Sequence, residues 1–329
     1  MILTDENYYS VEADRAYLSC SQYQGFQECE AKQVAKLQGR WRDKPSKALL
    51  VGNYFHSYFE SPEAHAKFCV DNMCDIYTAA SIKKYDALKE AMEIELSVNG
   101  SSDIVPESVL ISLADFKQAD SMIEAVINDE FMNYFVELPG ENEKIVYGDI
   151  YGVPWRGKLD KHAHDDNFII DYKTVANIWE TAYNPITKQK ETFVEHYGYI
   201  FRAAIYSLLE LEMRLGINFE TAYKLMKEDE TVLMMFVLLC VSKQEYPDKK
   251  VVSLNHKQAY IKAIEDLKNY LPRVVALREG HAIPKRCGKC DYCRATNKVK
   301  EITPYYELIP EFRKPREFDD EAIEDGTDS

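Results

Sequence analysis

Apolar residues along this chain follow two rhythms, one of period two and one near three and a half. Residues 144–152, 153–162 and 167–173 are short runs rich in β-branched and aromatic side chains, bounded by Gly, Pro and Asp turns, and they predict three consecutive strands. In the third, Phe168, Ile169, Ile170 and Tyr172 are apolar on both faces, as in a strand buried within a sheet. Helical spacing predicts helices over 31–42 and 46–60, one long or two shorter helices over 106–137 with acids near the start, and an amphipathic helix over 195–215. Residues 231–243 read as a buried strand and 256–278 as a last long helix ahead of a cysteine-rich loop. Between them and the first strands, 177–192, with Pro185 among alternating polar residues, reads as a loop or insertion. No internal repeat interrupts this order. The pattern alone gives a mixed α/β sheet flanked by helices.

Charges inside the predicted strands need a reason. From Gly157 to Thr174 the chain reads Gly-Lys-Leu-Asp-Lys-His-Ala-His-Asp-Asp-Asn-Phe-Ile-Ile-Asp-Tyr-Lys-Thr. With a turn centred on Asp165 and Asp166, antiparallel pairing sets Asp160 opposite Asp171, and the two-residue period puts Lys173 on the face of Asp171. Like charges directly opposite each other cost roughly 0.2–1 kcal/mol in ordinary sheets, which a divalent cation would offset. Two carboxylates and a nearby backbone carbonyl, that of Tyr172, form a hard oxygen site suited to Mg²⁺ or Mn²⁺. A water made more acidic by the metal and held by Lys173 is a nucleophile for phosphodiester hydrolysis. Asp160, Asp171 and Lys173 are thus candidate catalytic residues, with Asp160, Asp171 and Tyr172 as candidate metal ligands. The plainer alternative is a surface hairpin with scattered charges, common in a chain that is 29% charged.

This segment resembles the core of the PD-(D/E)xK nuclease superfamily, and most of all its RecE-like phage exonuclease branch, close to RecB-type and AddB-type nuclease domains. The segment Ala48-Leu-Leu-Val-Gly-Asn-Tyr-Phe-His-Ser-Tyr-Phe-Glu60 is similar to the early RecB-like helix led by Gly-x-x-x-His. The resemblance places His56 in the metal shell, with Glu60 one turn later on the same helical face. Tyr197-Gly-Tyr-Ile-Phe-Arg-Ala-Ala-Ile-Tyr-Ser207 is similar to the helix after the active-site strands, where relatives carry Gln-x-x-x-Tyr. Here Tyr206 keeps the tyrosine while Arg202 stands at the glutamine, and a guanidinium grips phosphate as an amide does. What the resemblance implies is a restriction-endonuclease-like α/β fold spanning about 17–299. It also implies a Mg²⁺-dependent exodeoxyribonuclease that degrades one strand of linear duplex DNA, alongside a single-strand annealing protein and in a homo-oligomeric ring.

Cysteines add a second centre. Arg286-Cys-Gly-Lys-Cys-Asp-Tyr-Cys-Arg294 holds three thiols in Cys-x-x-Cys-x-x-Cys spacing, in a chain with eight. Such a loop wraps a soft metal, and tetrahedral coordination asks for a fourth ligand, for which Cys20 and His281 are candidates if the metal is Zn²⁺. The segment Leu18-Ser-Cys-Ser-Gln-Tyr-Gln-Gly-Phe-Gln-Glu-Cys-Glu30 resembles the opening of cluster-bearing nucleases, and that resemblance nominates Cys29 beside Cys287, Cys290 and Cys293 around a [4Fe-4S] cluster. The last interval is shorter than in those relatives, although iron–sulfur ligation tolerates it. Residues 1–14 are short, polar and acidic rather than signal-like, so the expected compartment is the cytoplasm, the host's if phage-encoded, with reduced thiols. Cys69, Cys74 and Cys240 read as small core residues.

Length and charge bound the rest. A chain of 329 residues with 46% hydrophobic content builds a sizeable core. No apolar run approaches the ~20 residues that cross a bilayer, so no membrane partner is expected. The organisation expected is an N-terminal segment at 1–16, the nuclease domain at 17–299 and a C-terminal extension at 300–329, acidic and disordered from 317. A net charge of −15 opposes general nucleic-acid affinity. DNA binding then rests on a local basic groove, with Lys158, Lys161, Lys173, Arg202, Lys285, Arg286 and Arg294 as candidates. Two other readings use the same residues differently: an endonuclease of the same fold, or a catalytically silent zinc-bearing recombination scaffold.

Overall fold

The computed structural model describes residues 1–99, 109–184, 188–299 and 302–309. The predicted acidic tail, Pro185 and the start of the 106–137 prediction lie outside the described residues.

The strands β1 (Glu141–Ile150), β2 (Val153–Ala163), β3 (Phe168–Val175), β4 (Ala182–Asn184), β5 (Gln189–Glu191), β6 (Met235–Ser242) and β7 (Lys249–Ser253) form two sheets. The larger runs β1-β2-β3-β6-β7, and β4-β5 is a separate hairpin inside the segment expected to be a loop. All neighbours in the larger sheet are antiparallel except β3 and β6, which run parallel. The fold is therefore the mixed central sheet expected. Tyr151 and Gly152, at φ 54° and 77°, make the two-residue turn between β1 and β2. Its positive dihedrals match the twist of the flanking strands. The β2–β3 turn spans 164–167 and centres on Asp165 and Asp166, as the sequence predicts, with Ala163 paired to Phe168.

Helices enclose the sheet. Before it come α1 (Val11–Ala16), α2 (Cys20–Glu28), α3 (Glu30–Leu37), α4 (Lys47–Glu60), α5 (Pro62–Asp71), α6 (Met73–Ile76), α7 (Ala79–Asn99), α8 (Ala114–Ile127) and α9 (Glu130–Glu137). After β3 come α10 (Phe193–His196), α11 (Tyr199–Leu215), α12 (Phe219–Glu228), α13 (Lys257–Arg278) and α14 (Asp291–Ala295). The 106–137 prediction resolves into two helices, and 195–215 breaks at Gly198, whose φ of 65° cannot continue a right-handed helix. The 31–42 prediction overshoots, because Gly39 at φ 74° ends α3.

Two cores fill the two faces. On one, Leu18 and Phe26 join Trp155, Leu159, Ile169 and Leu238 beneath α11 and α13, represented by Leu208 and Ile264. On the other, Val51 and Phe55 of α4 and Phe116 of α8 cover Ile170, Tyr172, Val237 and Leu239. Burying each such side chain stabilises the fold by about 1.5–3 kcal/mol before chain entropy is subtracted. Cys240 is buried in the first core, but Cys74 is exposed, because its helix α6 contributes only Ile76 to the interior.

Candidate active site

β2 and β3 pair only at Lys161–Ile170, His162–Ile169 and Ala163–Phe168, then separate. The next pair would be Asp160 with Asp171. Instead, the Tyr172 N–H donates to Asp160 Oδ2 at 2.9 Å, so a side chain takes the place of a ladder bond. The open side of β2 is stitched further down to Leu18, whose N–H donates to the Pro154 carbonyl at 2.8 Å. The opening between the strands is the site.

Alternation is disturbed at the same point. Leu159 packs on the α11 side, whereas Lys161 donates its ammonium to the Val136 carbonyl of α9 on the other side. In β1, Val146 lies on the α11 side, while Asn142 donates to the Glu60 carbonyl at the end of α4. The β1–β2 ladder omits only the Glu143–Asp160 pair between them, where Glu143 sits at φ 54°. Asp160 therefore comes from the α4 side, 3.2 Å from His56 Nδ1. Asp171 and Lys173, alternating with Ile170 and Tyr172, come from the α11 side. The expectation of one shared face is corrected: the two acids approach from opposite faces, and the Lys173 ammonium in the gap joins them. Lys173 Nζ lies 2.5 Å from Asp171 Oδ2 and 3.7 Å from Asp160 Oδ2, and donates to the Tyr172 carbonyl at 2.9 Å.

Burial alone would raise the Asp160 carboxyl, but the Lys173 ammonium, the His56 imidazole and the Tyr172 N–H outweigh it and hold the group well below the ordinary carboxylate range. Asp171 moves the other way: burial raises it, the Asp160 charge adds to that, and Lys173 only partly offsets them. Asp171 Oδ2 is buried against the Lys173 ammonium. Two buried carboxylates on either side of one ammonium offer hard oxygen donors of the kind that suit a divalent cation.

The opening widens into a cleft of about 1170 Å³ lined by Asp160, Lys173, His56, Glu60, Arg202 and Tyr206, among others. Ser46 caps α4 by accepting from the Leu49 N–H, and this helix delivers His56 and Glu60. Arg202 and Lys173 each lie near the Tyr199 ring, 5.6 Å and 5.8 Å from its centre. Tyr206 fits because residue 157 is glycine: a Cβ there would lie 2.5 Å from its ring. Lys158 also lines the cleft, with its ammonium paired to Glu143 at 3.0 Å and Asp5 at 3.2 Å. The other basic candidates are corrected. Lys161 is buried against α9, and Lys285, Arg286 and Arg294 serve the cysteine loop rather than the cleft.

Glu143 was not foreseen. It too lines the cleft, opposite Asp160, and burial together with the Asp160 charge raises its carboxyl against the pull of Lys158. Counting back from a two-residue turn at Tyr151-Gly152 would have found it, since Ile150–Val153 pairing sets 143 against 160.

The profile of a family described as the PDDEXK-like domain of unknown function (DUF3799) matches residues 19–296. This chain belongs to that family. The PDDEXK-like assignment agrees with a solved structure, that of a candidate exonuclease from Eubacterium rectale, which is similar at a TM-score of 0.73 and 26% identity over 94% of this chain and 99% of that one. Among curated proteins none matches this chain.

This PDDEXK-like domain carries a four-cysteine centre where its ends meet. Ser19 caps α2, which ends at Cys29, and the Cys29 thiol lies 3.7 Å from that of Cys293. Cys287 lies 3.9 Å from Cys293, and the thiols of Cys29, Cys287, Cys290 and Cys293 all fall within 4.8 Å of one another. Cys20 and His281 are not in the group: Cys20 is buried at the start of α2, and His281 faces Glu279. Backbone N–H groups of Cys290 and Cys293 point at the Cys287 and Cys290 sulfurs, each at 3.4 Å. Burial opposes it, yet such donors bring the Cys287 thiol down to about 7, as a metal-binding thiolate requires. The surrounding seam is held by Glu30, which accepts from Arg273 at 2.6 Å and from the Lys285 N–H at 2.7 Å.

Proposed function

We propose that this protein is a divalent-metal-dependent deoxyribonuclease that removes nucleotides from one strand of linear duplex DNA, an exonuclease of the kind used in phage-type recombination. What supports this reading is above all the meeting of Asp160, Asp171 and Lys173 in the opening between β2 and β3. Asp160 and Asp171, with the Tyr172 carbonyl and His56 at the edge, would hold Mg²⁺ or Mn²⁺. When bound, that ion supplies charge neutralisation on the scissile phosphate and a more acidic water. The chain's own part is positional. Tyr172 fixes the Asp160 carboxylate through its N–H, and its carbonyl steadies the Lys173 ammonium. Lys173 orients the attacking water or stabilises the negative charge that develops on the phosphate. Arg202 and Tyr206, on successive turns of α11, face the cleft as phosphate and sugar contacts, with Lys158 as a further DNA contact at its rim.

At the cysteine centre, the sulfur spacing favours one tetrahedral ion over the [4Fe-4S] cluster implied by resemblance. Bonds of about 2.3 Å to a single Zn²⁺ set ligand sulfurs about 3.8 Å apart, against 3.7 Å and 3.9 Å here. Thiolates on four separate irons of a cubane stand farther apart. The role is a structural staple.

The deciding experiment is digestion of linear duplex DNA labelled at the 5′ or the 3′ end, with Mg²⁺, run beside a closed circle. Progressive loss of one label with the circle intact is expected. Asp171→Asn and Lys173→Ala are each expected to lower the rate by at least about 10³-fold while circular dichroism is unchanged. Cleavage of the circle would convert the reading to an endonuclease, and full activity in either variant would end it.

A further inference from the structure

On the α11 side, beside the β2–β3 turn, lies a second cavity of about 500 Å³ whose wall includes His162, His164 and Glu210. His162 and Glu210 are 6% and 2% exposed, and His162 Nε2 lies 3.2 Å from Glu210 Oε1. His164, on the exposed turn, stacks its ring 5.7 Å from that of His162. One potential ligand atom from each of the three lies within 4.8 Å of the others. Arg214 anchors Glu210 Oε1 at 2.8 Å and the Val232 carbonyl at 2.8 Å, which leaves Glu210 Oε2 buried with no hydrogen-bond partner. A carboxylate oxygen stranded in this way is costly unless something occupies the space before it. None of these groups takes part in the chemistry at the cleft.

We propose that His162, His164 and Glu210 form a binding site for a first-row divalent transition cation of the Zn²⁺ class. Two imidazoles and one carboxylate suit such ions, whereas Mg²⁺ selects oxygen donors. In the structure His162 Nε2 and Glu210 Oε1 share a 3.2 Å hydrogen bond, which an ion held by His162 and the free Glu210 Oε2 would replace. His164, on its turn, closes the third side. The arginine is no obstacle, since ligating carboxylates are themselves hydrogen-bonded from outside. Because Asp160 precedes His162 by two residues and Tyr206 precedes Glu210 by one helical turn, a bound ion would clamp β2 to α11, two of the elements that line the cleft.

The test is a Co²⁺ titration of the full chain, with its cysteine site filled as isolated and Mg²⁺ in excess. The wild type is expected to take up one further Co²⁺ per chain, with weak visible ligand-field bands and no added thiolate-to-metal charge-transfer band. Its melting temperature should rise by roughly 5 °C at a hundredfold excess over Kd. His164→Ala, at an exposed position, should melt like the wild type without Co²⁺ and lose both the bands and the shift; Glu210→Gln should lose them as well. Retention of the bands and stoichiometry by His164→Ala, or no uptake of nitrogen- and oxygen-bound Co²⁺ by the wild type, would overturn the proposal.

Discussion

Glu143 shows how much of the cleft depends on single side chains. Its carboxylate is half-buried opposite Asp160 and paired on its other side with Lys158 at 3.0 Å. Glu143→Gln keeps the shape and removes one negative charge from beside Asp160, one of the proposed metal ligands. The Mg²⁺ concentration giving half-maximal cleavage is expected to rise by about 10- to 100-fold with little change in thermal stability; an unchanged Mg²⁺ dependence would make Glu143 a bystander. Glu212 carries a different consequence. Burial, with the Asp149 and Glu220 charges adding to it, pushes its carboxyl up to about 7. Between the ordinary glutamate range, near pH 4.5, and pH 7, the folded chain keeps a proton that the unfolded chain has lost. Stability therefore falls as pH rises through that window and stays reduced above it. Glu212→Gln removes this penalty and should be more stable than the wild type by about 1–2 kcal/mol at pH 8, and equal to it near pH 4.5, in urea unfolding.

At the level of elements, the long periodic segments were legible and the short or compensated ones were not. β3 and β6 were readable because apolar residues on both faces have no place except between neighbours in a sheet. α4 was readable to within a residue because Ser46 announces its start. That cap gives a prediction: Ser46→Ala should lower stability by about 0.5–1 kcal/mol in denaturant unfolding and weaken cleavage only slightly, since packing of Val51 and Phe55 keeps His56 in place. β7 was missed because Lys249-Lys-Val-Val-Ser253 is an edge strand, whose charge guards it against unwanted pairing and hides it from periodicity. α5 and α12 were missed although Ser61 with Pro62 and Asn218 mark their starts, because each is short and bears no site motif. The identity of the site triad was readable from charges in apolar strands. Its geometry was not, because the change of alternation at Glu143 and Asp160 exists only once Asp160 has captured the Tyr172 N–H.

Across the whole molecule, the four cysteines join α2 near one end of the chain to α14 near the other, and the Glu30–Arg273 pair stitches the seam between them. Cys29→Ala should remove the bound metal and lower the melting temperature by several degrees. Stoichiometric zinc in colourless wild-type protein fits the sulfur spacing, whereas a brown protein absorbing near ~400 nm would return the centre to iron and sulfide. The separation has a further consequence for synthesis. A ribosome delivers Cys29 into solution long before Cys287 has been translated, whereas Asp160, Asp171 and Lys173 emerge midway. A nascent chain halted short of Cys287 thus owns Asp160, Asp171 and Lys173 but only Cys29 of the clasp, so closure of the cysteine centre is reserved for molecules whose translation has passed that point.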